Sequence, residues 1–209
     1  MEKLLAGYRR FRDNGWPEQR RIFETLAREG QAPKALVLGC IDSRVDPTRI
    51  FDTAPGEVLT VRNVAALVPP YEPDEAYHGT SAALEFGVRA MEVEHVIVLG
   101  HGMCGGVKAL LGGAPHDKHA GFEFITPWMS LAQPVVENSR HLTDPGERQR
   151  FCEHAVIRIS LANLMTFPWV AERVKAGKLA LHGAWFDIRT GELMMLQSGI
   201  VFERASVTR

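Results

Sequence analysis

The sequence is short of cysteine, of net charge and of long hydrophobic runs. Its three cysteines form an odd and sparse set, which argues against a disulfide framework and predicts a reducing compartment. Lys and Arg total 24 against 25 for Asp and Glu, so no basic surface is available to attract nucleic acid or an anionic membrane. The longest apolar runs, such as 35–38 and 96–99, are far too short to cross a bilayer. We therefore expect no nucleic-acid partner and no membrane partner.

The beginning of the chain also lacks the continuous apolar core of a secretory signal peptide. Together with the sparse cysteines, this absence predicts a cytoplasmic protein. The length of 209 residues fits one domain. Hydrophobic residues at 45% and charged residues at 23% exclude a disordered or fibrous class for most of the chain. We predict a single domain over 1–209, in which amphipathic helices within 1–29 form an arm.

Short, continuously apolar segments alternate with helical patterns along the chain. Segments 35–39, 58–61 and 95–100 have the composition of strands that are buried on both faces. Helical spacing or helix-start signals occur over 80–91, 104–111, 127–139, 147–165 and 168–175. A final hairpin is predicted over 178–187 and 193–196, around a Thr-Gly turn. The alternation predicts an α/β fold with a mainly parallel β-sheet flanked by helices, an N-terminal helical arm and a C-terminal hairpin.

Residues suited to binding a metal follow two of the predicted strands. Cys40 ends the first strand, and His101 and Cys104 follow the third. Each has an ordinary explanation when taken singly, because a cysteine at a strand end is more often a small buried apolar residue. The carboxyl ends of parallel strands meet at one edge of a sheet, however, so the three side chains are expected to converge. Two thiolates and one imidazole are ligands that Zn²⁺ prefers, and three protein ligands with one open position are typical of a catalytic zinc site.

Asp42 and Arg44 lie two residues apart, directly after Cys40. In an extended turn both point to one side, where an arginine can hold a carboxylate with two hydrogen bonds. The pair is either a surface ion pair or a catalytic pair, in which Arg44 fixes Asp42 beside the metal so that it accepts a hydrogen bond from bound water. The closeness of Cys40 favours the catalytic interpretation. Asp42 could also serve as a fourth metal ligand in a closed state of the site.

The spacing of Gly100, Gly102 and Gly105 matches the dinucleotide-binding fingerprint G-x-G-x-x-G, after a strand and before a helix. That fingerprint also requires an acidic residue at the end of the next strand, about 20 residues later. The corresponding window, 117–124, lies in a polar segment without a preceding strand, and the motif comes late in the chain. A non-catalytic nucleotide-binding domain is therefore a remote alternative.

Taken together, the two clusters resemble the β-class carbonic anhydrases. The family's pattern is matched by Cys40-x-Asp42-Ser43-Arg44 and, about 60 residues later, by His101-x-x-Cys104. Further segments that resemble the family are 55–57, 62–65, 81–86 and 181–191. The resemblance runs from about Gln31 to Leu196, and it is closer to the plant-type members than to the bicarbonate-switched subgroup. It implies an arm laid across a partner subunit, and a homodimer or homotetramer with the site near the interface.

The resemblance also implies an activity, the reversible hydration of carbon dioxide to bicarbonate and a proton. One zinc ion per chain would be held by Cys40, His101 and Cys104, and zinc-bound hydroxide would attack the substrate. Asp42 would orient the hydroxide, and Arg44 would hold Asp42. Related zinc hydrolases that act on carbonyl sulfide or carbon disulfide would use the same ligands, so they remain an alternative.

Three further residues are candidates for binding the substrate because they match the family's positions. Gln31 precedes Cys40 by nine residues, where plant-type members carry a substrate-binding glutamine, although it could equally be an ordinary loop residue. Leu59 and Phe86 would line an apolar pocket, although both could equally be plain core. No role is expected for Cys152, which fits a buried helix position, or for the His116 and His119 pair in a polar loop.

The resemblance also has an implication for regulation by bicarbonate. In the switched subgroup a bicarbonate pocket uses a tryptophan, and the corresponding residue is Val37, although Gly39 and Arg62 match. Valine cannot supply the indole N–H, so a bound bicarbonate would lose one hydrogen bond. We therefore expect Asp42 to be paired with Arg44, and not bound to the metal, at neutral pH.

Overall fold

The computed structural model describes residues 1–112 and 122–206. Its centre is a six-stranded sheet with the strand order β2-β1-β3-β4-β5-β6. The strands are β1 Ala35–Cys40, β2 Val58–Asn63, β3 His95–His101, β4 Ala180–Asp187, β5 Glu192–Gln197 and β6 Val201–Arg204. Strands β2, β1, β3 and β4 are parallel, whereas β5 and β6 are added in antiparallel orientation. The predicted α/β class, mainly parallel sheet and C-terminal hairpin are confirmed.

The last strand was not predicted from the sequence. Strand β6 has only four residues, and three of them, including Val201, are exposed. It lacks the continuous apolar run that identified β1 and β3. Its position is set by antiparallel pairing with β5, which a local pattern cannot show.

Helices flank the sheet and connect its strands. They are α1 Glu2–Arg10, α2 Trp16–Glu29, α3 Pro47–Ile50, α4 Gly79–Glu85, α5 Gly105–Leu110, α6 Ile125–Ser130, α7 Gln133–Asn138, α8 Pro145–Leu164 and α9 Pro168–Lys175. The segment 127–139, predicted as helical, forms two short helices, α6 and α7. The start of α8 follows the predicted signal, because the Asp144 side chain accepts a hydrogen bond from the Glu147 N–H at 2.7 Å.

The core lies on both faces of the parallel strands. The continuous apolar run of β1 is buried from Leu36 to Cys40, as expected for a strand covered on both sides. Helix α8 packs directly on β3 and β4. A Cβ atom at Gly100 would lie 2.7 Å from Ile157 Cδ1, and one at Gly183 would lie 2.9 Å from Ile157 Cγ2. The two glycines therefore allow α8 to approach the sheet closely, beside the end of β3.

The N-terminal helices form the predicted arm. Helices α1 and α2 are joined by a π-helical turn over Phe11–Gly15, and none of the three segments contains a buried residue. Large apolar side chains of the arm are exposed, namely Leu4, Leu5, Tyr8, Phe11 and Ile22. Within the described residues, no helix is both long enough and apolar enough to cross a membrane.

Candidate metal centre

Cys40, His101 and Cys104 converge at one edge of the sheet. Strands β1 and β3 are parallel neighbours, with Gly39 opposite Leu99, so Cys40 and His101 both stand at the carboxyl end. Cys104 is the third residue after the end of β3, at the cap of α5. The Sγ atoms of the two cysteines and a ring nitrogen of His101 all lie within 4.8 Å of one another. The exposed fractions are 4% for Cys40, 1% for His101 and 3% for Cys104.

The histidine is oriented for a metal. His101 Nδ1 lies 2.9 Å from the carbonyl oxygen of Gly102, and since a carbonyl only accepts, Nδ1 carries the proton. The Nε2 atom is then a free acceptor. It is buried and has no hydrogen-bond partner in the described residues. A buried lone pair beside two free thiols is the donor set that zinc binds, so the three residues fit the ion that their arrangement implies.

The two thiols interact with each other. A hydrogen bond from the Cys104 thiol lowers the pKa of Cys40 below the usual range of a thiol. The same contact, together with burial, raises the pKa of Cys104 above the usual range of a thiol. One thiolate is therefore stabilised in the cluster without a metal, and a bound cation would release the remaining thiol proton.

Asp42 and Arg44 form the pair expected from the sequence. Arg44 Nε and Nη2 donate to the two carboxylate oxygens at 2.9 and 2.7 Å, and the Arg44 N–H adds a third bond at 3.0 Å. Asp42 Oδ2 also lies 3.9 Å from His101 Nε2, so the carboxylate stands beside the cluster. The Arg44 hydrogen bonds hold the pKa of Asp42 well below its usual range. Asp42 is therefore ionised and can only accept hydrogen bonds.

Arg62 fixes the turn that carries Cys40 and Asp42. Its guanidinium donates to the carbonyl oxygens of Cys40 at 3.0 Å and of Asp42 at 2.6 Å, and to Asp46 Oδ2 at 3.3 Å. These contacts engage the side chain within its own chain. Val37, which stands where the switched subgroup has a tryptophan, is fully buried in β1. Insensitivity to bicarbonate stays a prediction.

Glu153, a buried residue of α8, was not predicted to belong to the site. Glu153 Oε1 accepts hydrogen bonds from the Cys104 N–H and from Gln149 Nε2, both at 3.0 Å. Burial raises the pKa of its carboxyl group. A signal was available, because Glu153 shares the buried stripe of α8 with Val156, Ile157 and Ser160 at helical spacing.

An apolar cavity opens at the same edge of the sheet. Its volume is about 480 Å³. It begins at Ile41, which directly follows Cys40 in the chain, and at Asn63, which pairs with Cys40 across the sheet. Apolar walls come mainly from Val64, Pro69, Tyr77, Phe124, Ile125 and Trp128, and polar groups from His78, Thr80 and Ser81. The cavity is suited to a small apolar molecule.

The three predicted substrate residues do not line this cavity in the described chain. Gln31 is exposed in the segment before β1, and Phe86 is 48% exposed. Leu59 is half-buried and packs against the main core. It pairs with Leu36, four residues before Cys40, which places it about 13 Å from the carboxyl end of the sheet at the strand rise of 3.3 Å.

Cys152 is buried in α8, as expected. His116 and His119 lie outside the described residues. The glycine spacing after β3 has a packing explanation, since a Cβ atom at Gly102 would lie 3.1 Å from the Trp185 ring.

Comparison with known proteins places this arrangement in a family. The sequence profile described as carbonic anhydrase matches residues 35–193. The chain is 34% identical over 195 residues to "Beta carbonic anhydrase 3" of Arabidopsis thaliana. The aligned region covers 91% of this chain and 74% of that protein. The chain belongs to the β-class carbonic anhydrases. It is also 40% identical over 170 residues to "Beta carbonic anhydrase 5, chloroplastic" of the same plant, covering 79% of this chain and 54% of that protein.

Solved β-carbonic anhydrases have the same fold. The β-carbonic anhydrase CcaA superimposes with a TM-score of 0.89 and 30% identity, covering 99% of this chain and 92% of that one. One of two tetrameric β-carbonic anhydrases from Sordaria macrospora superimposes with a TM-score of 0.81 and 28% identity, covering 93% and 95% of the two chains. Members of this family use zinc, which agrees with the donor set of Cys40, His101 and Cys104.

Proposed function

We propose that this chain catalyses the reversible hydration of carbon dioxide to bicarbonate and a proton, as a zinc-dependent carbonate dehydratase. The observation that carries this conclusion is the buried cluster of two free thiols and a histidine whose Nε2 has no partner in the described residues. One zinc ion per chain would be held by Cys40, His101 and Cys104. When bound there, zinc would lower the pKa of a coordinated water to about 7.

Asp42 and Arg44 orient the reacting water in this proposal. The ionised carboxylate stands 3.9 Å from His101 Nε2 and can accept a hydrogen bond but cannot donate one. A water or hydroxide beside it must therefore point a hydrogen at Asp42 and a lone pair elsewhere, towards the substrate. Arg44 keeps the carboxylate in place and ionised through its paired hydrogen bonds.

The apolar cavity supports carbon dioxide as the substrate. Carbon dioxide has no net dipole, and the walls at Ile41, Val64 and Trp128 offer mostly apolar surface. Leu59 and Phe86 are distant or exposed in the single chain, so we propose that they reach substrate in an oligomer, supplied by a second copy. Gln31 keeps its predicted role as a substrate-binding residue.

We further propose a homodimer or homotetramer, in which residues 1–29 of a single 1–209 domain lie across a second copy. The arm buries none of its residues in its own chain and exposes a row of large apolar side chains. A tetrameric β-carbonic anhydrase is among the structural neighbours. The sparse cysteines support a cytoplasmic location, which cell fractionation would test.

Stopped-flow hydration of carbon dioxide by purified protein, with and without a zinc chelator, tests the activity. We expect rapid hydration that the chelator abolishes and added zinc restores. Carbonyl sulfide and carbon disulfide serve as competing substrates in the same assay. Faster turnover of either one would assign the chain to the related hydrolases.

A further inference from the structure

Glu153 is a buried carboxyl group directly behind the metal-ligand cluster. Its exposed fraction is 4%. No ion pair joins it to a basic side chain in the described residues, so its hydrogen bonds must stabilise it. Burial of such a group is costly unless its oxygens are satisfied by donors. The donors that satisfy it therefore show what the residue holds in place.

Each oxygen of Glu153 is tied to a different part of the site. Oε1 accepts from the backbone N–H of Cys104, a proposed ligand, and from Gln149 one turn earlier in α8. Oε2 accepts from Trp185 Nε1 of β4 at 3.3 Å. The side chain thus links α8 and β4 to the turn between His101 and Cys104. Because α8 and β4 are long and packed, they provide a rigid support for that turn.

The turn itself needs such support. Met103, the residue before Cys104, has a φ of 56°, a left-handed conformation that is unfavourable for a residue with a side chain. Two further hydrogen bonds hold the turn, from Gly102 N–H to the Phe186 carbonyl at 2.9 Å and from Arg44 Nη2 to the Met103 carbonyl at 3.1 Å. Among the described residues, the side chain that accepts a hydrogen bond from the Cys104 N–H is the buried Glu153.

We propose that Glu153 is a positioning residue of the metal centre. By accepting a hydrogen bond from the Cys104 N–H, it directs the Cys104 side chain towards Cys40 and His101. The inference rests on the proposed binding of zinc by these three residues. It assigns to Glu153 a role in metal affinity and geometry, and no contact with substrate. Loss of a residue that orients a metal ligand typically weakens metal binding by about 10- to 100-fold.

Four variants test the proposal in the full-length protein. Glu153→Met and Glu153→Ala remove the acceptor, the first with little change of volume. Glu153→Gln retains an oxygen that can accept from Cys104, although its amide nitrogen cannot accept the hydrogen bond from Trp185 Nε1. Gln149→Met is the matched control, because it removes a donor to Glu153 and leaves the Cys104 hydrogen bond intact. The readouts are zinc affinity by competition with a chromophoric chelator and the absorption spectrum of the cobalt-substituted protein. Far-UV circular dichroism establishes that each variant is folded.

We expect Glu153→Met and Glu153→Ala to bind zinc about 10- to 100-fold more weakly and to change the cobalt spectrum. Gln149→Met should match the wild type, and Glu153→Gln should recover most of the affinity. The proposal is overturned if a folded Met or Ala variant keeps wild-type affinity and spectrum, if Gln fails to restore them, or if neither removal variant folds. Wild-type protein that binds no zinc would instead refute the proposed function.

Discussion

At the scale of the residue, the site depends on which atoms are left without partners and which are fully engaged. His101 donates through Nδ1, and its Nε2 has no hydrogen-bond partner among residues 1–112 and 122–206, whereas the Asp42 carboxylate is fixed by Arg44. The convergence of the three candidate metal ligands and the Asp42–Arg44 pairing were predictable, because motif spacing and strand ends place them together. The roles of Glu153 and Arg62 in holding the backbone were not, since they depend on contacts between residues 49 and 22 positions apart.

Replacement of Asp42 separates metal binding from turnover. We expect Asp42→Ala to retain zinc and to lose about 100-fold in turnover, because the reacting water is no longer oriented. Asp187→Ala is a matched control, since Asp187 forms the same kind of pair with Arg189 at the end of β4. It should retain both zinc and turnover. Elemental analysis and stopped-flow assays measure the two quantities. Equal loss of zinc and turnover in Asp42→Ala would make the residue a ligand, and unchanged turnover would reduce it to a surface ion pair.

His154 gives the fold a defined sensitivity to acid. Burial, followed by the charges of Arg158 and Arg150, lowers its pKa to about 4, against about 6.5 in the unfolded chain. Between these values the unfolded chain binds a proton that the folded chain does not. The contribution of the neutral His154 to the free energy of unfolding is therefore complete above about pH 6.5. It is lost as the pH drops towards about 4, by up to about 3 kcal/mol.

The variant His154→Phe tests this dependence, because the ring already stacks on Phe202 at 4.2 Å. Its free energy of unfolding should fall less than that of the wild type between about pH 7 and about pH 5. His141→Phe, at an exposed position, should follow the wild type. Denaturant titrations at the two pH values supply the comparison. Parallel losses in the wild type and His154→Phe would contradict the assignment.

At the scale of the element, the parallel strands and the close packing of α8 set the position of the site. Strands β1 and β3 were identifiable because they are continuously apolar and each is followed by ligand-type residues. Strand β6 and the division of 127–139 into α6 and α7 were not, because tertiary pairing and packing decide them. The apolar lining of the cavity was also missed, since Ile41 and Trp128 are brought together only by the folded chain.

The close approach of α8 to β3 predicts that position 100 requires glycine. We expect Gly100→Ala to lower the free energy of unfolding by about 1–3 kcal/mol, because its Cβ would lie 2.7 Å from Ile157 Cδ1. Gly105→Ala is the control, since nothing lies within 4 Å of a Cβ there. It should be neutral or stabilise the fold by about 0.4–1 kcal/mol. Urea unfolding of both variants gives the values, and equal stability would show that the packing adjusts without cost.

At the scale of the whole molecule, the arm is the feature that a single chain does not explain. Its apolar side chains face solvent in the chain alone, and burial of each large one stabilises an assembly by about 1.5–3 kcal/mol. A helical arm could be predicted from the spacing of Leu4, Leu5, Tyr8 and Phe11. The surface that it covers could not, because the sequence pattern shows only which face is apolar.

We expect the combined substitution of Leu5→Glu and Tyr8→Glu to raise the dissociation constant of the oligomer by at least about 100-fold. Arg10→Glu changes charge on another face of the same helix and should leave assembly intact. Sedimentation velocity over a range of concentrations distinguishes the species. A monomeric wild type, or an assembly unaffected by the double substitution, would refute the role of the arm.

The most direct test of the account is a zinc titration of metal-free protein, followed by stopped-flow hydration of carbon dioxide. The three convergent ligands predict activity that rises linearly to one equivalent of zinc per chain and then stays constant. Cys104→Ser should remain inactive throughout the titration, whereas Cys152→Ser, altered at a buried cysteine outside the cluster, should follow the wild type. Full activity without zinc, a break at two equivalents, or an active Cys104→Ser variant would contradict the assigned metal centre.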